Sequence, residues 1–178
     1  MIDFGYDALL EKLKMLDEDS SLLFGTDDRY RLVIVGGTAL ILQRYIEKTT
    51  QDIDAISVSP DLLELLAKYD INCHVQAYIH FFPYNYEDRL VLLFQGRKVD
   101  FFAASLEDIV ISKLYSTRRV DQTDITAAEV LRRLDWNTLE MLALDENEAM
   151  ASALNDRTYK DFMVQYEAYI RRYRPCEN

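Results

Sequence analysis

The alternation of apolar and polar residues predicts a chain of short strands and amphipathic helices. Apolar residues recur at every third or fourth position over residues 3–16, which predicts an N-terminal helix, and the polar run Asp17-Glu18-Asp19 after it predicts a solvated loop. Short apolar runs bounded by turn residues predict strands, and helical spacing returns between them. Further helices are predicted over 61–69, 105–116, 137–144 and 156–172, and a weaker strand over 72–80. Ser105 and Asp108 form a capping pattern at the start of the helix over 105–116. The pattern predicts an α/β (α+β) domain: a small mixed sheet, helices packed on it and a C-terminal helical extension.

The stretch over residues 31–59 has the clearest organisation. It begins with the apolar run Leu32–Val35 and breaks at Gly36-Gly37-Thr38. An amphipathic segment follows, and then Asp52-Ile53-Asp54 opens a second apolar run. This pattern predicts a strand, a glycine turn, a helix and a second strand.

The two carboxylates at the start of the second strand are candidate metal ligands. Residues i and i+2 of a strand point to the same face, so Asp52 and Asp54 are expected to lie side by side. Two carboxylates at such a short distance repel each other unless a cation lies between them. The simplest such cation is Mg²⁺, which takes oxygen ligands and usually also binds substrate phosphates.

The glycine turn supplies a candidate anion site. Gly36 and Gly37 allow the backbone to turn tightly and to approach a ligand closely. The first N–H groups of the following helix, together with the positive end of its dipole, favour a phosphate, and Thr38 adds a hydroxyl. An anion site followed by a metal site suggests a nucleoside triphosphate bound at both ends.

These two motifs together resemble the nucleotidyltransferase superfamily, which has the polymerase-beta-like fold. They are most similar to its bacterial AbiEii-type branch, which reads Gly-Gly-Thr/Ser-Ala-Leu and then Arg-x-Thr-x-Asp-Ile-Asp. Lys48 stands where that branch usually has arginine, which keeps the positive charge. The resemblance covers residues 30–130.

A predicted hairpin over residues 90–103 carries another candidate carboxylate. Gln95-Gly96-Arg97 separates its two apolar runs, and Asp100 lies in the second run. A carboxylate in an apolar strand is costly to bury unpaired, so Asp100 either faces water on an edge strand or has a partner. The resemblance implies the second alternative, in which Asp100 is the third metal carboxylate beside Asp52 and Asp54.

Lys113 lies in the middle of the apolar stripe of the predicted helix over 105–116. A lysine there must extend to solvent, pair with an acid or meet an anion. In the AbiEii-type branch the matching Ser-Lys-Leu motif places its lysine at the active site. The resemblance therefore implies that Lys113 neutralises charge on the triphosphate.

The segment over residues 118–125 is similar to the Arg-x-Lys-Asp-x-x-Asp-Ile motif of the same branch, with Val120 where lysine is common. Asp121 and Asp124 open the next predicted helix, so N-terminal capping alone would explain both. The functional alternative is that Asp121 pairs with Lys113 or with a group of the bound nucleotide.

Composition bounds the cellular setting and the partners. The chain has 178 residues, for which we expect a core over 1–134 and a helical extension over 135–178. Its formal net charge is −11. Such an acidic chain does not favour broad binding to nucleic-acid backbones. The arginines at 171, 172 and 174 either complement the dipole of the last helix or form a docking patch for an acidic or nucleic-acid partner.

Cysteine usage and hydropathy predict a cytoplasmic protein with no membrane partner. Cys73 and Cys176 lie far apart and have no metal-ligand spacing, which is typical of reduced thiols. The N-terminus lacks a basic segment of the signal-peptide kind, and the longest apolar stretch is too short to cross a bilayer.

The resemblance implies transfer of a nucleoside monophosphate from an NTP to an acceptor hydroxyl, with two Mg²⁺ ions and release of pyrophosphate. It also implies a toxin–antitoxin or phage-defence setting, in which the acceptor is a tRNA or a protein and a cognate antitoxin or toxin is a partner. Two alternatives stay open. One is a small-molecule enzyme of the antibiotic-modifying kind, and the other is a non-catalytic interaction protein with the same fold.

Overall fold

The computed structural model describes residues 4–56, 58–144 and 156–176. The chain forms two compact units. The first contains Met1–Ile79 and Leu90–Ala104, and the second contains His80–Arg89 and Ser105–Asn178. The sequence predicts a division between residues 134 and 135, whereas these units divide after Ala104.

The first unit is built on a five-stranded mixed sheet. Its elements in chain order are α1 (Tyr6–Leu23), β1 (Tyr30–Ile34), α2 (Gly36–Leu42), β2 (Ile53–Ile56), α3 (Leu63–Lys68), β3 (Ile71–Asn72), β4 (Val91–Gln95) and β5 (Val99–Ala103). The strand order is β3-β2-β1-β5-β4. Strand β1 runs antiparallel to β2 and parallel to β5, β2 is parallel to β3, and β4 is antiparallel to β5. The predicted mixed sheet is confirmed.

The centre of this unit is strand β1, whose last three residues are buried on both faces. Leu32, Val33 and Ile34 are fully buried, as expected for a central strand covered on both sides. Helix α1 contacts α2, α3 and β5 and contributes the buried side chains Leu9, Leu13 and Leu16.

Helix α1 continues past its predicted end at Leu16 as far as Leu23, while the predicted start at Asp3 lies outside the described residues. The sequence pattern favoured a solvated loop at Asp17-Glu18-Asp19, and this interpretation is wrong. Asp17 is buried, because its carboxylate accepts backbone hydrogen bonds from the turn between β4 and β5.

The predicted strand over residues 72–80 is also wrong. Strand β3 ends at Asn72, and His74–Phe81 forms a 3₁₀ helix. The side-chain oxygen of Asn72 accepts a hydrogen bond from the backbone N–H of His74 at 2.9 Å. Such local side-chain to backbone bonds compete with the strand ladder, which explains why the strand ends here.

The described part of the second unit is largely helical: α4 (Leu106–Leu114), α5 (Arg119–Ile125), α6 (Ala128–Arg133), α7 (Trp136–Leu144) and α8 (Asp156–Tyr173). Helix α4 contacts α5, α7 and α8. Ser105 caps α4 by accepting a hydrogen bond from the backbone N–H of Asp108, as the capping pattern predicted. Residues 145–155 and 177–178 of the predicted extension lie outside the described residues.

A membrane-spanning helix needs a long apolar stretch. Within the described ranges, no helix combines the length and the apolar composition required to cross a bilayer.

Candidate functional site

The turn between β1 and α2 brings the backbone close to a carboxylate. Gly36 is the first residue of α2 and has a φ of +65°, a left-handed conformation that glycine adopts without steric cost. A Cβ atom at this position would lie 3.3 Å from Oδ2 of Asp54. The left-handed conformation therefore favours glycine, and a Cβ here would also force the Asp54 carboxylate to shift by a few tenths of an ångström.

Asp54 is the second residue of β2, and Asp52 lies just before this strand. Val35 donates its backbone N–H to the carbonyl oxygen of Asp54 at 2.9 Å, so the glycine turn begins directly beside this residue. Asp52 is exposed and Asp54 is half-buried. The structure thus places the carboxylate of Asp54 beside Gly36 and the backbone carbonyl of Asp52 beside Thr38.

Thr38 has a different contact from the one expected. It is 3% exposed, and its hydroxyl donates to the backbone carbonyl of Asp52 at 3.0 Å. Because a hydroxyl has a single proton to donate, that proton is committed to Asp52. Thr38 therefore fixes the residues before β2 against the start of α2, rather than offering its hydroxyl proton to a phosphate.

Asp100 is separated from this site by the register of the sheet. It lies level with Arg31 in the parallel pairing of β1 and β5, whereas the backbone contact of Asp54 is with Val35. Paired residues share a face, so Asp100 and Asp54 project from the same face, but their levels differ by four residues, about 13 Å along the strand.

Asp100 instead has a cation of its own. Nη2 of Arg29 lies 2.6 Å from Oδ1 of Asp100, and this contact raises the pKa of the Arg29 guanidinium. The structure thus does not bring Asp100 together with Asp52 and Asp54 as a three-carboxylate set. Among the described residues, no three carboxylate, histidine or cysteine side chains converge as a metal site.

Lys113 and Asp121 lie in the second unit and form a buried ion pair. Nζ of Lys113 lies 2.5 Å from Oδ1 of Asp121 and 2.9 Å from Oδ2 of Asp124. Asp121 also accepts hydrogen bonds from Ser116 and Arg118, each at 2.7 Å. The sequence left open whether Asp121 pairs with Lys113, and the structure shows that it does.

The electrostatics of this cluster keep Asp121 ionised. Burial alone would raise the pKa of its carboxyl, but the hydrogen bonds from Lys113, Ser116 and Arg118 outweigh burial and lower the pKa. Asp121 therefore contributes stability above its ordinary pKa, and this contribution is lost as the pH falls through the lowered value.

Asn72 is a site residue that sequence reasoning missed. Its side-chain amide donates to Oδ1 of Asp54 at 3.0 Å, and the parallel pairing of β2 with β3 places these two residues level. No local pattern indicates the contact, because β3 is two residues long and pairs with a strand distant in sequence. In the sequence, Asn72 was visible only as a polar residue at the start of the strand predicted over 72–80.

The residues around Gly36 fit a hard divalent cation with two protein ligands. Asp52 and Asp54 supply carboxylate oxygens from positions two apart, and glycine keeps the space beside Oδ2 of Asp54 clear of a side chain. Mg²⁺ commonly uses one or two carboxylates and takes its other ligands from water and substrate phosphates. The donor set therefore suits Mg²⁺ without a contribution from Asp100.

Comparison with known proteins identifies a family. Residues 11–174 match the model of the family described as "Nucleotidyltransferase of unknown function (DUF6036)". No curated protein and no solved structure gives a significant match.

Proposed function

The chain belongs to this nucleotidyltransferase family, and on that premise we propose that it transfers a nucleoside monophosphate from an NTP to an acceptor hydroxyl, releasing pyrophosphate. The observation that carries the proposal is the approach of the glycine turn to Asp54, with a Cβ position at Gly36 only 3.3 Å from its Oδ2. A phosphate chain at the turn would lie within reach of a metal held by that carboxylate.

In the proposed site Asp52 and Asp54 hold Mg²⁺, with two ions expected from the resemblance. Bound there, Mg²⁺ supplies charge that lowers the pKa of the acceptor hydroxyl and stabilises the leaving pyrophosphate. Asp54 is the more rigid ligand, since it lies in β2 and accepts a hydrogen bond from Asn72. Asp52 is exposed and is anchored through its backbone carbonyl by Thr38.

The backbone at Gly36 and Gly37 is proposed to bind the β- and γ-phosphates. Neither residue has a side chain to obstruct an anion, and the N–H groups at the start of α2 have no intrahelical acceptor. The role of Thr38 in this arrangement is to hold the two halves of the site together.

Lys113 and Asp121 enter the proposal through the resemblance alone. The matching lysine of the AbiEii-type branch faces the active site, which implies that Lys113 offsets triphosphate charge. Its ammonium already contacts two carboxylates, and Arg118 contacts one of them. The cluster therefore carries little net charge, and we assign Asp121 the task of holding Lys113 in position.

The acceptor follows from the resemblance and from charge. Similarity to the AbiEii-type branch supports a toxin–antitoxin or phage-defence role, with a tRNA or a protein as acceptor and a cognate antitoxin or toxin as partner. The net charge of −11 disfavours a polyanionic acceptor unless it meets a local basic patch. A protein side chain or a small cationic molecule of the antibiotic type fits the acidic surface equally well.

One observation favours a second candidate, a non-catalytic interaction protein that keeps the fold. Asp100 lies about 13 Å along the sheet from the level of Asp54 and pairs with Arg29, so it leaves the pair of carboxylates without the expected third. A protein that has lost catalysis would still bind partners through the same fold.

Isothermal titration with ATP, CTP, GTP and UTP in the presence of Mg²⁺ separates these candidates. We expect at least one nucleotide to bind the wild type, and Asp54→Asn to weaken its binding at least tenfold because a charged metal ligand is lost. Asp100→Asn is the matched control. It removes a carboxylate from the same face of the same sheet, and we expect nucleotide binding to be unchanged.

Failure of all four nucleotides to bind would overturn the enzyme proposal, as would an Asp54→Asn variant that binds like the wild type. If a nucleotide binds, incubation of the protein with its α-labelled form and a cell extract identifies the acceptor. Label on an RNA, a protein or a small molecule then selects among the acceptor classes.

A further inference from the structure

We infer that Asn72 is a positioning residue that orients the Asp54 carboxylate toward the glycine turn. This inference rests on the proposed function, because Asp54 is the metal ligand of that proposal. The contact itself is direct, since the Nδ2 amide of Asn72 donates to Oδ1 of Asp54 at 3.0 Å.

Sheet pairing places the two side chains side by side. Strand β3 is parallel to β2, with Ile53 level with Ile71 and Asp54 level with Asn72. Level residues of neighbouring strands project from the same face of the sheet. The short strand β3 thus brings an amide to the flank of Asp54 that faces away from β1.

The direction of the hydrogen bond is fixed by a second contact. The Oδ1 oxygen of Asn72 accepts the backbone N–H of His74 at 2.9 Å. An amide has a donor end and an acceptor end, so binding its oxygen to His74 leaves its NH₂ group for Asp54. The backbone of the following 3₁₀ helix therefore determines which end of Asn72 meets the carboxylate.

In this arrangement the two oxygens of the Asp54 carboxylate have different neighbours. Oδ1 of Asp54 receives the amide of Asn72, while Oδ2 lies toward the turn, 3.3 Å from the Cβ position of Gly36. Because the hydrogen bond already fixes its orientation, the Asp54 carboxylate loses little further rotational freedom when Oδ2 binds a cation at the turn. Partners of metal ligands commonly change metal affinity by about 10- to 100-fold.

Mn²⁺ binding by the full-length protein, followed by electron paramagnetic resonance without nucleotide, tests this inference directly. Mn²⁺ replaces Mg²⁺ at oxygen-ligand sites and gives a signal that reports free ion. We expect Asn72→Ala to weaken Mn²⁺ binding by about 10- to 100-fold, because Asp54 loses the donor that orients it. Thermal unfolding followed by circular dichroism establishes that the variant remains folded.

A pair of variants at position 74 separates orientation from general packing. His74→Pro removes the backbone N–H that holds the Asn72 oxygen, at the first residue of a 3₁₀ helix, where proline is tolerated. His74→Ala keeps that N–H. We expect His74→Pro to weaken Mn²⁺ binding and His74→Ala to bind like the wild type.

Unchanged Mn²⁺ affinity in folded Asn72→Ala would overturn the inference while leaving the proposed function standing. Equal effects of His74→Pro and His74→Ala would overturn the assigned orientation. A wild type that binds no Mn²⁺ would also overturn the inference. The separate titration with nucleotides and Mg²⁺ then decides whether the proposed function fails with it.

Discussion

Two aspartates on one face of the sheet have different partners. Asp54 accepts an amide hydrogen bond from Asn72 beside the glycine turn, and Asp100 pairs with the guanidinium of Arg29. The charged partner satisfies Asp100 within its own part of the sheet, whereas Asp54 has a neutral donor on one oxygen. Unlike the guanidinium beside Asp100, the amide of Asn72 brings no positive charge to the Asp54 carboxylate.

The second unit contains a cluster of deeply buried charged side chains. Lys113 is 6% exposed, and its two carboxylate partners, Asp121 and Asp124, are 2% and 4% exposed. Buried charges are tolerated only when they are paired and hydrogen-bonded. The lysine that interrupts the apolar stripe of α4 is thus explained by acids from α5, and solvent exposure of its tip is not needed.

Lys113→Ala is expected to lower the free energy of unfolding by about 3–5 kcal/mol, because it leaves two buried carboxylates without their ammonium. Urea unfolding measures the change. Arg118→Ala is the matched control in the same cluster. The side chain of Arg118 is 75% exposed, so its contact with Asp121 is screened and its loss should change stability by less than about 1 kcal/mol. Equal losses in the two variants would contradict this account.

At the scale of elements, one carboxylate ties a helix to a hairpin. The oxygens of Asp17 in α1 accept the backbone N–H groups of Arg97, Lys98 and Val99 at 2.8, 2.8 and 2.9 Å. A Cβ at Gly96 would collide with the carbonyl oxygen of Val99 and lie 2.5 Å from Oδ1 of Asp17. The turn between β4 and β5 therefore needs glycine at position 96. The backbone N–H groups of this turn also need the Asp17 carboxylate of α1 as their acceptor.

Asp17→Ala is expected to destabilise the protein by at least about 2 kcal/mol, since the backbone donors of the turn lose a charged acceptor. Asp17→Asn should destabilise the protein less than Asp17→Ala does, because its amide retains one acceptor oxygen. The exposed neighbour Glu18 is the control, and Glu18→Ala should change the free energy of unfolding by no more than about 0.5 kcal/mol. A mild effect of Asp17→Ala in thermal or urea unfolding would contradict the assigned role.

Strand length is another property decided at this scale. Strand β3 has two residues, and the side chain of its last residue both accepts a local backbone N–H and donates to the neighbouring strand. A longer β3 would leave no 3₁₀ helix start at His74 to orient that amide. The early end of the strand is thus coupled to the geometry of the candidate site.

At the scale of the whole molecule, charge limits the range of partners. The formal net charge is −11, and the sequence pI is about 4.6. Of the three arginines near the end of α8, Arg174 contacts Glu140 and Asn137, each at 2.9 Å, whereas Arg171 and Arg172 are exposed. Long-range repulsion therefore acts against any extended polyanion.

Random-sequence DNA and RNA are expected to bind with a Kd above about 100 µM at physiological salt, which is weaker than the usual affinity of non-specific nucleic-acid-binding proteins. Filter binding over a salt series measures this. A nucleoside triphosphate with Mg²⁺ under the same conditions serves as the positive control. Micromolar affinity that falls linearly with the logarithm of salt concentration would show a basic surface and contradict the expectation.

Much of the fold and part of the site were determined by the sequence alone. The glycine turn, the strand that carries Asp54, the hairpin over 90–103 and the Ser105 cap all depend on residues close together in the chain. Local backbone preferences and the spacing of apolar residues are sufficient to specify such features. The motif pair around Gly36 and Asp54 also indicated the nucleotidyltransferase family, to which the chain belongs.

The tertiary structure alone decided which distant residues meet. The register of β5 against β1 separates Asp100 from Asp54, and the pairing of β3 with β2 places Asn72 beside Asp54. The burial of Asp17 depends on a hairpin far along the chain. Because strand register and helix packing join segments with no local relation, hydrophobic spacing places a residue on an element but leaves its partners open.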